Sequence, residues 1–203
     1  LFFFSFPPVT IRGKERNMVP VTALLIPIVL SAVFVFIASS IIHMATPWHK
    51  HDLMKLPDED AVLNALRPLN LPPGNYGFPK PESMNDMKSE AFMAKVKAGP
   101  VGFMTIKDGW NFNMGGTLLQ WFLFSLLVSL FAGYIAGVAF GPGTEYLRIQ
   151  QVAGSVAFVG YALGQMHESI WWGRRWSWTV RNILDGLLYG LLTGGTFGWL
   201  WPK

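Results

Sequence analysis

The chain of 203 residues has no cysteine. That excludes disulfides, zinc–thiolate sites, iron–sulfur clusters and cysteine nucleophiles, and it leaves the compartment open. Charge is also scarce. Asp, Glu, Lys and Arg make up 14% of the chain, where a soluble domain carries about 25%. No run of Lys and Arg interleaves with aromatics, so no nucleic-acid partner is expected. There is no P-loop, no dinucleotide fingerprint and no GxSxG. His167-Glu168-Ser169-Ile170-Trp171 lacks the second histidine of HExxH.

What the chain does have is apolar bulk. Hydrophobic residues reach 51%, with 16 Phe and 9 Trp, and the mean hydropathy is +0.34. Together with the scarcity of charge, this points to lipid as a solvent. A spanning helix needs about 20 mostly apolar residues, and four stretches qualify. Val19 to Ile42 and Thr117 to Phe140 carry no charge, and Pro27 is expected to kink the first. Val152 to Trp172 is weaker because it contains Gln165, His167 and Glu168. Asn182 to Trp201 contains Asp185. Gly173 to Arg181 reads as a tight polar connection between the last two.

Residues 1–17 differ from the rest. Lys14-Glu15-Arg16 can be encoded as a ribosome-binding sequence upstream of Met18, so these residues read as a translated leader or a disordered tail. The expected layout is then 18–43 as span one, 44–116 as an extramembrane domain and 117–203 as spans two to four. The fold class is an all-α membrane protein: a four-helix transmembrane bundle with a small α-rich domain between spans one and two. That domain balances eight Lys/Arg against eight Asp/Glu. A short helix should begin at Asp58-Glu59-Asp60 and end at Pro68, and a second should run from Asn85 to Ala98. Leu71 to Pro81 reads as a loop, and Pro100 to Ile106 as a short strand or a membrane-lying segment. Trp48, Trp110, Trp171, Trp172, Trp176 and Trp178 gather at one face and Trp199 and Trp201 at the other, as in interfacial belts. Basic residues near the span ends place the large loop in the cytoplasm.

Glycine is the most regular pattern. Gly186, Gly190, Gly194 and Gly198 recur every four residues, as do Gly133, Gly137 and Gly141. On a helix such residues share a face and let another backbone approach closely. The stripes serve either packing within the chain or a seam for self-association or a partner membrane protein.

The polar residues inside the spans carry the chemistry. His43, Gln120, His167, Glu168 and Asp185 are expected at one depth, near the large-loop face. Ionisable groups there are costly and tend to face a bundle interior, a cavity or a partner. One reading is neutralisation, with Arg181 pairing Asp185 and Arg174 or Arg175 pairing Glu168. The other is a hydrated pocket for a metal ion, a proton or a polar headgroup. His43, His49, His51 and His167 are the candidate metal ligands, and His43 with His167 could hold a haem. No cofactor is required by any motif.

The segments PWHKHD (47–52), PPGNYGFP (72–79), GPVGFMTI (99–106), GRRWSWTVRN (173–182) and DGLLYGLLTGGTFGWLWP (185–202) resemble an uncharacterised family of small polytopic bacterial membrane proteins. The resemblance implies four spans and a bacterial cytoplasmic membrane, and it brings no activity. The function expected from the sequence is that of a non-enzymatic accessory or scaffold component packing against partners through its glycine-striped helices. The alternative is a small transporter or a metal- or proton-handling protein built on the polar ring. An enzyme acting on lipid or quinone ranks third, since no nucleophile or acid–base pair stands out.

Overall fold

Residues 18–107 and 113–203 are described by the computed structural model. The leader reading of residues 1–17 and the placement of Trp110 lie outside them. The first rod opens with a 3-10 turn, Val21–Leu24, continues as α1 (Leu25–Ser40) and ends in a π turn, Ile41–Ala45. Pro27 does not interrupt it. The proline falls in the first turn of α1, where a backbone N–H would have no helical partner anyway.

Two short helices follow, α2 (Glu59–Leu66) and α3 (Glu90–Ala98). Each starts at a side-chain cap: Asp58 accepts from the Ala61 N–H and Ser89 from the Phe92 N–H. The second is shorter than expected, because Asp86–Lys88 forms a separate 3-10 turn. The expectation of a loop over 71–81, and with it a purely α class, is corrected. Gly74–Phe78 forms β1, antiparallel to β2 (Gly102–Ile106), with Gly77 opposite Phe103 and Phe78 opposite Gly102. Each glycine thus gives a facing phenyl ring room to lie over the backbone. Neither α2 nor α3 has a buried residue. The small domain instead leans on the helices, with Phe103 edge-on to Trp172 at 5.3 Å.

The remaining rods are α4 (Met114–Ala139), α5 (Tyr146–Phe158), α6 (Gln165–Trp172) and α7 (Trp176–Trp199), with a π turn at Val159–Leu163 linking α5 to α6. Two boundaries differ from expectation. The third rod starts at Tyr146 because Ile149, Ala153 and Ala157 bury one face despite polar neighbours. The fourth starts at Trp176, since Thr179 is buried and hydrogen-bonds Ser169. The connection shrinks to Gly173–Arg175, turned by Gly173 at φ 67°.

α1 packs on α4 and α7, and α5 packs on the same two, so the rods close into a ring. The stripe glycines lie in its seams. A Cβ on Gly194 would strike the Gln150 carbonyl and the Gly154 backbone, and one on Gly190 would meet the Gly154 carbonyl at 2.8 Å. Gly186 faces Ala162, Gly198 faces Tyr146, Gly133 faces Phe197 and Gly137 faces the Val19 carbonyl. Trp201 is not an interfacial anchor. It is 7% exposed and donates to the Gly141 carbonyl, tying the chain end to the α4–α5 turn.

Among the described residues, two helices are long and apolar enough to cross a membrane: Val21–Ala45, with mean hydropathy 2.8, and Met114–Ala139, with 2.1. Only 33% and 39% of their apolar windows are buried inside the protein, unlike the core helix of a soluble domain. Large side chains such as Ile26, Leu119 and Phe131 point outward.

Candidate functional site

The segment after α1 folds back over the start of α7 through two consecutive turns. The Lys50 N–H bonds the Pro47 carbonyl, and the Asp52 N–H bonds the His49 carbonyl. His49 and Asp52, three residues apart, therefore present their side chains to the same place. His49 Nδ1 lies 2.6 Å from Asp52 Oδ2, and its Nε2 lies 2.8 Å from Asp185 Oδ2 on α7. Trp48 Nε1 donates to the other Asp185 oxygen at 3.0 Å. Arg181, one turn before Asp185, gives its guanidinium to Asp52, with Nε at 2.9 Å. His49, Asp52 and Asp185 are 12%, 14% and 8% exposed in their side chains.

A neutral imidazole has one N–H to donate, yet both ring nitrogens of His49 face carboxylate oxygens. An imidazolium donates to both carboxylates, whereas a neutral imidazole satisfies one and leaves the other facing a lone pair. Burial alone would raise the Asp52 carboxyl. The hydrogen bonds from His49 and Arg181, with the positive charge of both, outweigh it and hold the group below its ordinary value of 3.8.

His43 sits at the centre of the first π turn, stacked on His49 with ring centroids 4.2 Å apart and planes within 8°. Its Nδ1 donates to the Ser39 carbonyl at 2.9 Å. Ligand atoms of His43, His49 and Asp185 lie within 4.8 Å of one another. Parallel rings send their in-plane lone pairs along parallel planes, so no single ion can lie in the plane of both. Metal ligation would need His43 to turn. As placed, His49 and Asp185 form a hydrogen-bonded pair, and the His43 ring stacks on it without aiming at a shared centre.

The structure thus brings together His43, His49 and Asp185 from the sequence candidates, and it separates the others. Gln120 is exposed on α4, and His51 and His167 are exposed and outside this group. Glu168 pairs with Arg174 at 3.6 Å, both partners substantially exposed, in an open groove beside the hairpin. The expected Arg181–Asp185 pair is corrected: the arginine turns to Asp52, and Trp48 and His49 each make one hydrogen bond to the aspartate.

Sequence reading missed Trp48, Asp52, Tyr161 and Tyr189. The histidine three residues before an aspartate in PWHKHD was the one local signal for the first pair. Tyr161 occupies the centre of the second π turn, as His43 does of the first. Such π-bulges often mark functional sites.

Asp185 forms part of two hollows. One is an open groove of about 890 Å³ with Trp48, Arg181 and Leu188, and the other is a recess of about 400 Å³ between the helices. No protein-family model matches the chain, and no curated protein or solved structure shows significant similarity to it.

Proposed function

We propose that this chain forms a four-span bundle in the bacterial cytoplasmic membrane, its large loop on the cytoplasmic side, and works as a small proton-coupled transporter. The observation that carries the reading is His49 held between Asp52 and Asp185, with Asp185 itself lining both an open groove and an inner recess. A proton passes along the carboxylate–imidazole–carboxylate chain by short transfers, each between atoms already hydrogen-bonded. Uptake at Asp185 removes the negative charge that faces the recess, so proton and recess ligand compete for one group. The two apolar helices and their outward side chains support the membrane setting. The third and fourth spans are diluted by the polar residues of the site and by the packing glycines.

The scaffold reading draws on the glycine stripes. Gly133, Gly137, Gly186, Gly190, Gly194 and Gly198 all face neighbours within this chain, which leaves that reading without an observation of its own.

Infrared spectra of the full chain in lipid, recorded as differences between acid and neutral pH, test the site. A carboxyl C=O band should vanish in Asp185→Asn and shift in frequency in His49→Gln, and it should persist in Glu168→Gln. If the band is the same in Asp185→Asn as in the wild type, no proton exchanges at this aspartate and the reading fails.

A further inference from the structure

The recess beside Asp185 lies between the ends of α1 and α4, the second π turn and α7. Its volume of about 400 Å³ falls within the range of about 300–1,000 Å³ usual for small-molecule pockets. Trp121, Phe124, Tyr161 and Tyr189 form its aromatic wall, with neighbouring ring centroids 5.4 to 6.2 Å apart. Its polar end is made by Asp185, with His43, Gln165 and Asn182 nearby.

Two groups in this recess are incompletely satisfied by the protein. Tyr189 is 3% exposed, and its hydroxyl has no hydrogen-bond partner among the described residues. Buried hydroxyls are normally partnered; Thr193, one turn further along α7, is likewise unpartnered among the described residues, while other neighbours follow the rule. Ser125 bonds the Trp121 carbonyl, Tyr161 the Ser125 carbonyl and Thr196 the Leu192 carbonyl. Asp185 is 6% exposed and accepts one hydrogen bond on each oxygen. A carboxylate offers about four acceptor sites, so it can accept more. Asp185 and Tyr189 are one helical turn apart on α7, hence on one face.

Charge selects the ligand class. Among the described residues, Asp185 is the one carboxylate lining the recess, and neither Lys nor Arg lines it. An anion would meet the carboxylate without compensation. A cation would meet the carboxylate, the phenol oxygen and the negative faces of the aromatic rings. We propose that the recess binds a lipophilic ammonium ion. Its N–H groups donate to Asp185 and to the Tyr189 oxygen, and its apolar body lies along Trp121, Phe124 and Tyr161. The proposal rests on the proton-coupled reading and names its substrate class. Because Asp185 cannot serve an ammonium once protonated, binding weakens as pH falls. Of the groups facing Asp185, His49 from the loop and His43 from the end of α1 favour its carboxylate when they are charged, and Arg181 is charged throughout and paired with Asp52.

The test is equilibrium dialysis of the full chain in detergent against empty micelles, with 4-phenylbutylamine as the ammonium probe and 4-phenylbutanol as its uncharged counterpart. At mildly alkaline pH the protein should bind the ammonium at least about tenfold tighter than the alcohol, and acidification should erase the preference. Asp185→Asn should abolish it, while Glu168→Gln should keep it. Tyr189→Phe removes no hydrogen bond the protein makes, so it should fold normally and bind the ammonium several-fold more weakly. Equal binding of amine and alcohol, or an undiminished preference in a folded Asp185→Asn protein, overturns the proposal. Equal binding would indicate a recess for neutral molecules. With the infrared band of Asp185 intact, that result would remove the ligand class and leave the proton site standing.

Discussion

At the scale of single residues, the site is a set of charges that satisfy one another away from water. Asp52 is the member whose energetics can be read by pH. Its folded pKa is depressed, so its contribution to stability is fully present above the ordinary carboxylate value and is lost as pH falls through the depressed one. Asp52→Asn should therefore lower stability at neutral pH by on the order of 2 kcal/mol, the scale of hydrogen bonds to charged groups. Melting temperatures of wild type and variant should converge in strong acid. A gap that widens toward acid would contradict the assignment. The residues of this site were only half legible in the sequence. His43, His49 and Asp185 stand out as ionisable groups near span ends, but their partners do not. His49 meets Asp185 across 136 positions and Arg181 meets Asp52 across 129. Pairing over such separations follows from how the loop folds back, which no local pattern records.

At the scale of elements, glycine spacing was the most legible feature, because a period of four fixes a helical face whatever the neighbours are. The pattern did not reveal which surface the stripe meets. The structure supplies α5, with Gly154, which no stripe had singled out, as the opposing backbone to Gly190 and Gly194. Gly194→Ala places a methyl group against the Gln150 carbonyl and the Gly154 backbone, neither of which can rotate aside. It should cost about 1–3 kcal/mol, the usual penalty for overpacking. Gly195→Ala is the control. Its added methyl would meet only the Tyr146 hydroxyl, at 3.4 Å, so the change should be neutral or stabilising, since alanine is the better helix former. Thermal unfolding of both variants in the same detergent decides this, and equal losses would mean the close approach is not what holds α7 to α5. The two π turns were not legible. Each inserts one residue into a helical run, and composition does not register such an insertion. Nor was β1, because Gly74–Phe78 carries the glycine, asparagine and proline neighbours that otherwise signal a loop.

At the scale of the whole molecule, the helical character, the two strongly apolar rods and the separate polar segment between them were all legible. They follow from where charge is missing along the chain. The closed ring of rods was not, since it depends on which faces meet. That ring places a buried carboxylate between a groove open to the loop side and an aromatic recess, an arrangement suited to coupling a proton to a bound solute. The most direct test reconstitutes the full chain in lipid vesicles with an entrapped pH-sensitive dye. An external pulse of 4-phenylbutylamine is applied, and protein-free vesicles correct for passive amine entry. Vesicles with wild-type protein should show amine-driven proton movement above that background. His49→Gln and Asp185→Asn should reduce it to the background, and Glu168→Gln should not. Proton movement no greater than in protein-free vesicles, or equal in wild type and both site variants, would contradict the account.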